Sequence, residues 1–507
     1  MFSLLLIINY LHLNAKLENM TKNTLDRKQA VIPTTENDTT QRIQEVFAKQ
    51  RANLQALKNT TGKQRKRKLK ALRKKVYDYR EKIQAALHAD FKKPDIESDI
   101  SEIYPTISEL NNTIANLQDW MSKEEVDIPI THLGSSAYIH FEPKGNCLVI
   151  TPWNYPFYLA ISPLIYAIAA GNAAILKPSE FTPHTSHLVQ ELLEELFEED
   201  EIAVIQGDHS VSSELLQLKF NHIHFTGSPL VGKLVMEAAS KNLTSCTLEL
   251  GGKSPTIVDQ TANIKEAAMK IVWGKYLNEG QICIAPDYVL VHESKKNELI
   301  EAMKVEVEKK YGADTKARLE SKNLGRMVNA KHYARVKSLA EDAINKGAKV
   351  EIGGQFNDAD NFIDPTILSN LSSDSSIMQE EIFGPIMPVI AFSNLEEAMD
   401  IVSSKERPLA LYIFSKKEKN IKYIIDNSSA GGTCINETLL HISQPNLPFG
   451  GVNNSGIGKS HGKWGFVDFS NERSVMRQHF KYGMSQLLHP PYNKFSKFVV
   501  DITLKWF

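Results

Sequence analysis

Apolar residues recur at a spacing near 3.6 along "QRIQEVFAKQRANLQALK" and along "SEIYPTISELNNTIANLQDWM", which predicts helices across residues 41–125. "SSAYIHFEPKG" (135–145) alternates instead and predicts a strand pair. From residue 147 the pattern changes again. "CLVITPW" (147–153) is an apolar, β-branched run, and "PFYLAISPLIYAIAAGN" (156–172) is a helix that stops on Gly171-Asn172. "AAILKP", "EIAVIQG", "HIHFTG" (222–227) and "TLELGG" are further strands, with helices "HTSHLVQELLEELF" and "SPLVGKLVMEAASKN" between them. Strands alternating with helices at short intervals imply βαβ units and a mostly parallel sheet.

A second α/β region runs from about 254 to 436, with strands "SPTIVD", "DYVLVH" and "LALYIF". No internal repeat or low-complexity linker separates the two. Residues 20–40 are polar and Thr/Asn-rich, which predicts disorder. Before them, "FSLLLIINYLHL" (2–13) is apolar, but shorter than the roughly 17–25 residues of a spanning helix. It lacks a basic flank and a small-residue cleavage site, so residues 1–19 read as a misplaced start or a disordered leader rather than a signal peptide. The C-terminal "KFSKFVVDITLKWF" is too short and too charged to span a membrane.

Length and composition narrow the picture. At 507 residues the chain exceeds one core, and 42% hydrophobic with 23% charged residues is ordinary for a globular protein. A net charge of −1 supplies no global field for nucleic acid or an anionic membrane. The basic run "KQRKRKLKALRKK" (63–75) reads as a solvated helix face with Leu69 and Leu72 turned inward. Four cysteines, Cys147, Cys246, Cys283 and Cys434, lie far apart with no CxxC pair. That spacing suits neither a disulfide framework nor a metal site, and a reducing cytoplasm is expected.

Several short stretches carry candidate chemistry. In "NEGQICIAPDY" (278–288), Cys283 sits between Gly280 and Pro286, either as a small buried hydrophobe or as a nucleophile in a shaped loop. "FTGSPLVGK" (225–233) leaves a strand for a helix: Gly227 permits a tight turn, Ser228 caps and Pro229 opens the helix. Gly227 and Gly232 are too far apart for a GxGxxG fingerprint, and a turn without ligand has the same pattern. "LKPSE" places Lys177 and Glu180 where such sheets meet a nucleotide ribose, although lone loop charges are usually solvated. "TPWNYP" (151–156) puts Asn154 beyond a strand end, as a turn residue or an oxyanion donor. In "LELGGKSP" (248–255), Glu249 lies between Leu248 and Leu250, and burial there raises a carboxylate toward general-base range.

These stretches fit one chemistry: a thiolate, an oxyanion donor, a nucleotide cofactor and a carboxylate that activates water. Taken with "GNAAILKPSE", "EEIFGP" and "LPFGGVNNSGIG", they follow the order found in the aldehyde dehydrogenase superfamily, which the chain resembles from about residue 41 to 476. "CIAPDY" and "HGKWGFVDFSNERSV" are most similar to its class 3 branch, typically dimers acting on aliphatic and aromatic aldehydes. The resemblance implies an α/β aldehyde dehydrogenase-like fold. A Rossmann-like cofactor domain (41–130 and 146–250) joins an α/β catalytic domain (251–455). A small β oligomerisation arm (131–145 and 470–480) joins two chains, and 481–507 forms a C-terminal tail.

The same resemblance implies that Cys283 is the nucleophile, that Asn154 and the Cys283 N–H form the oxyanion hole, and that Glu249 is the deacylation base. Lys177 and Glu180 would contact the adenosine ribose, and Gly227, Ser228 and Gly232 would pack by the pyrophosphate. Glu381 would hold the nicotinamide ribose near Phe383, with Trp153 and Leu250 also at the cofactor. The cofactor would be NAD or NADP, the substrate a small-molecule aldehyde, the assembly a homodimer, and no metal, nucleic acid or membrane span is expected. Two residues depart from the family pattern, Glu279 before Gly280 and Ile282 before Cys283, and both bear on the shape of the pocket beside the thiol. Hydrolytic oxidation, acyl transfer to coenzyme A, and a non-catalytic role on the same fold are the three functional alternatives. Asn154, Glu249 and Cys283 together favour the first.

Overall fold

The computed structural model describes residues 36–479 and 489–506. The expected leader lies outside it up to residue 35, but residues 36–40, expected to be disordered, open the helix Glu36–Lys58. The helix Gly62–Asp78 follows, started by a capping box in which Thr61 and Gln64 satisfy each other's backbone N–H groups. Leu69 and Leu72 are fully buried, so the basic run is a solvated face as expected. Arg65 is its exception, turned inward to donate to the Ala169 carbonyl at 3.0 Å.

Strands β1 (Glu124–Val126) and β2 (Ser135–Pro143) come first. β3 (Asn146–Ile150), β4 (Ala173–Lys177), β5 (Ile202–Val204), β6 (His222–Gly227) and β7 (Ser245–Leu250) then alternate with helices. β8 (Pro255–Val258) and β9 (Tyr288–His292) open the second region. β10 (Lys349–Ile352), the short pair β11 (Phe356–Asn357) and β12 (Phe362–Ile363), β13 (Thr366–Ser369), β14 (Ile386–Phe392), β15 (Ala410–Phe414) and β16 (Gly432–Ile435) continue it. The chain then returns through β17 (Gly456–Ile457) and β18 (Ser470–Gln478).

The first large sheet has the order β17-β7-β6-β3-β4-β5, parallel except for β17. The second has the order β10-β13-β14-β9-β8-β15-β16, parallel except for β10. Every residue of β3, β4, β8 and β15 is buried, because helices cover both faces of a parallel sheet. In the first sheet the chain steps outward from β3 through β4 to β5, then crosses back to β6. The carboxyl ends of β3 and β6 are therefore the switch point, where an open α/β sheet leaves a crevice for ligand. Trp153 and Asn154 follow β3, and Ser228 follows β6.

The third sheet corrects an expectation. "SSAYIHFEPKG" is one strand rather than a pair, and β2 lies in the middle of the order β1-β2-β18. β1 and β18 flank it on either side, and among the described residues the long outer edge of this sheet is that of β18. The expected C-terminal tail contains a helix, Lys494–Trp506, with Phe495, Phe498, Leu504 and Trp506 exposed, while residues 480–488 and 507 lie outside the described residues. None of the described helices is long and apolar enough to cross a membrane.

One buried pair seats the loop after β3. Lys93 and Glu102 are both fully buried, and Lys93 Nζ donates to Glu102 Oε1 at 2.6 Å. The other carboxylate oxygen accepts the N–H groups of Phe157 (2.9 Å) and Tyr158 (3.1 Å), at the start of the helix Tyr158–Ala170. Removing one partner of such a pair strands a buried charge. Lys93→Met is expected to cost about 3–5 kcal/mol of stability, read from the urea midpoint. Lys93→Met combined with Glu102→Gln should recover part of that loss, because no lone charge remains.

Candidate active site

Cys283 is placed by a turn that most residues would refuse. Asn278, Glu279 and Gly280 all have positive φ, of 51°, 56° and 70°. Only glycine fits at 280, where a Cβ would collide with the carbonyl oxygen of Gly384. Asn278 Nδ2 donates to the Asn154 carbonyl at 2.9 Å, and the Asn154 side-chain amide donates to the Gln281 carbonyl at 3.0 Å. Gln281 Nε2 in turn donates to the Arg326 carbonyl at 3.1 Å. The turn, the loop after β3 and the thiol loop are thus one hydrogen-bonded unit.

Glu279 does not reach the pocket beside the thiol. It is buried on the far side of the turn, near Arg326 and Glu97, and burial pushes its carboxyl well above the usual range. Ile282 packs into the core around Val289 and Tyr412. Neither departure from the family pattern lines the pocket.

A cavity of about 300 Å³ opens at the switch point. Its walls bring together the expected Trp153, Asn154, Gly227, Ser228, Glu249, Leu250, Cys283, Glu381 and Phe383. A narrower space of about 40 Å³ continues behind Cys283 and Glu249, between Leu159, Ile442 and Phe449. Cys283 is half-buried, and desolvation, then the Glu381 and Glu249 carboxylates, push its thiol up to about 12. The Cys283 and Ile284 N–H groups point at the sulfur and oppose that shift. Glu249 is raised to about 7, mainly by burial. Its Oε1 accepts the Ser460 hydroxyl at 2.8 Å, while Oε2 is buried with no partner among the described residues.

Lys177 and Glu180 stand apart from this cavity. They pair at 2.8 Å at the carboxyl end of β4, with Lys177 buried and Glu180 one-third exposed. Gly232 does not line the cavity either; it lets the helix Pro229–Ser240 close onto Leu250, which a Cβ would meet at 2.8 Å. Ser228 caps that helix as expected. Glu381 lies against Gly251, where a Cβ would run into its carboxylate, and burial raises it to about 8. Its loop is clamped from two sides: Lys253 donates to the carbonyls of Ile377 and Glu380 at 2.8 Å, and Arg335 donates to that of Glu381 at 3.1 Å.

Sequence reasoning missed Lys253, Arg335, His332, Ser460 and His461. Lys253 lies within "LELGGKSP" and could have been flagged as a charge beside buried leucines. His332 packs tilted against Trp153, with ring centroids 4.6 Å apart, but comes from a helix whose pattern marks only its core face. No metal was expected. Among the described residues, ligand atoms of His222, His224 and Asp468 lie within 4.8 Å of one another, but His222 already bonds Asp468 (3.2 Å) and Ser245 (2.9 Å).

The residues present fit a nicotinamide dinucleotide. The Gly227 turn and a capped helix N-terminus face the crevice, and a buried carboxylate, Glu381, lies in the cavity that holds the thiol. Comparison with known proteins agrees. The Aldehyde dehydrogenase family pattern matches residues 15–475. A 4,4'-diaponeurosporen-aldehyde dehydrogenase of Staphylococcus aureus is 43% identical, over 86% of this chain and 93% of its own. The dimeric NADP-preferring aldehyde dehydrogenase of Rattus norvegicus is 43% identical, over 80% and 88%. The solved substrate-bound S. aureus AldH superposes with a TM-score of 0.87 at 41% identity, covering 91% of this chain and 99% of that one. The chain belongs to the aldehyde dehydrogenase family and is an oxidoreductase that oxidises aldehydes with NAD or NADP.

Proposed function

We propose that oxidation runs through a covalent adduct on Cys283 and ends in hydrolysis. The observation that carries this reading is the shared cavity wall, on which Cys283 lies with Asn154 and the buried Glu249. Cys283 is a thiol at rest, so a base must take its proton as the carbon–sulfur bond forms. The Asn154 amide, already held through the Gln281 carbonyl, has a second N–H that would meet the oxyanion together with the Cys283 N–H. A nicotinamide held beside Glu381 and Phe383 would supply the hydride acceptor. A thioester on Cys283 remains, and Glu249 takes a proton from water as it attacks; the carbon–sulfur bond breaks and the thiol is restored. Lys177 and Glu180 serve the adenosine ribose, Glu381 and Phe383 the nicotinamide end, and Trp153, Gly227, Ser228 and Leu250 the stretch between.

Leu159, Ile442 and Phe449 beside the thiol suit an apolar aldehyde, as the diaponeurosporen-aldehyde named for the S. aureus relative would be. Four free cysteines fit a reducing, cytoplasmic setting. The outer edge of β18, unpaired among the described residues, and the dimeric rat relative support a homodimer joined through that sheet.

Cys283→Ala is expected to abolish turnover while leaving cofactor affinity nearly intact; residual activity above about one-hundredth of wild type would remove Cys283 from the mechanism. Glu249→Gln should slow steady-state turnover by about 10²–10⁴-fold. Stopped-flow absorbance of the reduced cofactor then separates its roles: a full first-turnover burst confines Glu249 to hydrolysis, and a slowed burst adds removal of the thiol proton. Because Glu249 acts as a carboxylate and its value is about 7, wild-type kcat should fall as pH drops through about 7. Acyl-coenzyme A accumulating on addition of coenzyme A would replace hydrolysis with acyl transfer. Light scattering at micromolar concentration should give the mass of a dimer; a monomer would count against the β18 contact.

A further inference from the structure

Behind Glu249 lies a buried polar chain that the proposed steps do not use. Ser460 donates to Glu249 Oε1 at 2.8 Å, and its oxygen lies 3.0 Å from His461 Nδ1. His461 Nε2 is 3.1 Å from Glu109 Oε1 and 2.7 Å from the Tyr158 hydroxyl. Glu109 also accepts the hydroxyls of Tyr158 and Ser162, both at 2.5 Å. Glu249, Ser460, His461 and Glu109 are each less than one-tenth exposed.

His461 is held against its own backbone preference, at φ 71° and ψ 145°. Strain of this kind persists only where the surroundings enforce it, and it clusters at functional sites. Here Ser460 and Phe449 exchange backbone hydrogen bonds, the Phe449 ring packs edge-on at 4.9 Å, and the Tyr166 hydroxyl accepts the Gly462 N–H.

We propose that Ser460, His461 and Glu109 are positioning residues for the catalytic base: His461, anchored on Glu109, holds Ser460 so that its hydroxyl donates to Glu249 Oε1 and leaves Oε2 for the attacking water. The reading rests on Glu249 as the base. A neutral His461 with a bare Nδ1 would let Ser460 turn its hydroxyl away from Glu249; the imidazolium, with both nitrogens protonated, forbids that. Burial works against this charge, but the Glu109 carboxylate outweighs it and His461 stays above its ordinary value. Glu109 is correspondingly held below its own, since His461, Ser162 and Tyr158 overcome its burial.

The consequence is electrostatic. Burial drives Glu249 upward, and Ser460 and His461 are the leading opposing influences. The other groups facing it are Asp468, which raises it, Lys459, which lowers it, and the Cys283 thiol across the cavity. Around His461 the remaining titratable neighbours are Tyr158, Tyr166, His224 and His441. Both histidines are pushed down to about 4, and both tyrosines well above their ordinary value, so none changes charge between pH 6 and 9.

The test is the pH profile of steady-state kcat for Ser460→Ala, Ser460→Thr and Glu109→Gln. Ser460→Ala should move the acid limb upward by about one pH unit, a tenfold loss of carboxylate on that limb, with recovery toward wild-type kcat at higher pH. Ser460→Thr keeps the hydroxyl and should keep the profile. Glu109→Gln removes the anchor of the imidazolium while retaining His461, and should shift the limb in the same direction as Ser460→Ala. An unshifted limb in Ser460→Ala, or a loss equal at every pH, would overturn the proposal. If that happens while Glu249→Gln still stops turnover, the relay alone is wrong; if Glu249→Gln is active, the base assignment goes with it.

Discussion

Three consecutive positive-φ residues, Asn278 to Gly280, press the chain so closely against the Gly384 carbonyl that no side chain fits at 280. Everything at the site hangs from this contact. It turns the strand-bound helix Ile264–Tyr276 into the thiol loop, sets Asn278 to hold the Asn154 carbonyl, and brings the segment carrying Glu381 alongside. Each non-glycine residue held there costs on the order of 1–3 kcal/mol of backbone strain. Buried hydrogen bonds of Asn278 and Gln281 to the neighbouring carbonyls offset it.

The second organising influence is desolvation. Burial lifts Cys283, Glu249 and Glu381 together, so at rest the site holds a neutral thiol beside a carboxylate poised near neutrality. A base near the working pH takes and returns protons with little penalty in either direction. The same burial that raises Glu249 also leaves its Oε2 without a partner, and an unpaired buried oxygen is a place for water to be held. Charge and geometry are thereby tied: the space is narrow enough to raise the carboxylate and polar enough to hold a water.

Much of this was readable in the chain. The alternation of buried runs with helices announced two parallel sheets, since a strand covered on both faces has to be apolar throughout. Cys283, Glu249 and Asn154 stood out because each sits at a strand end or turn beside glycine or proline. The strand at 135–145 misled, because alternation marks one half-covered strand as readily as a pair. Its edges are covered by β1 and β18, and β18 is remote in sequence. Glu279 misled in another way: as a departure from the family pattern it suggested a change in the pocket, and it is buried instead near Arg326 and Glu97.

The local sequence by itself determined most of the elements and singled out Cys283 in its glycine-bounded turn, because periodicity, caps and glycine turns act over a few residues. Tertiary structure alone decided who meets whom. Glu109 from an early helix, Ser460 and His461 from the returning C-terminal segment, and Glu249 from β7 form one hydrogen-bonded chain only when the sheets are assembled. Their charge states follow from that assembly as well. A pKa is set by burial and by neighbours within a few ångströms, and both are properties of the folded arrangement rather than of any stretch of chain.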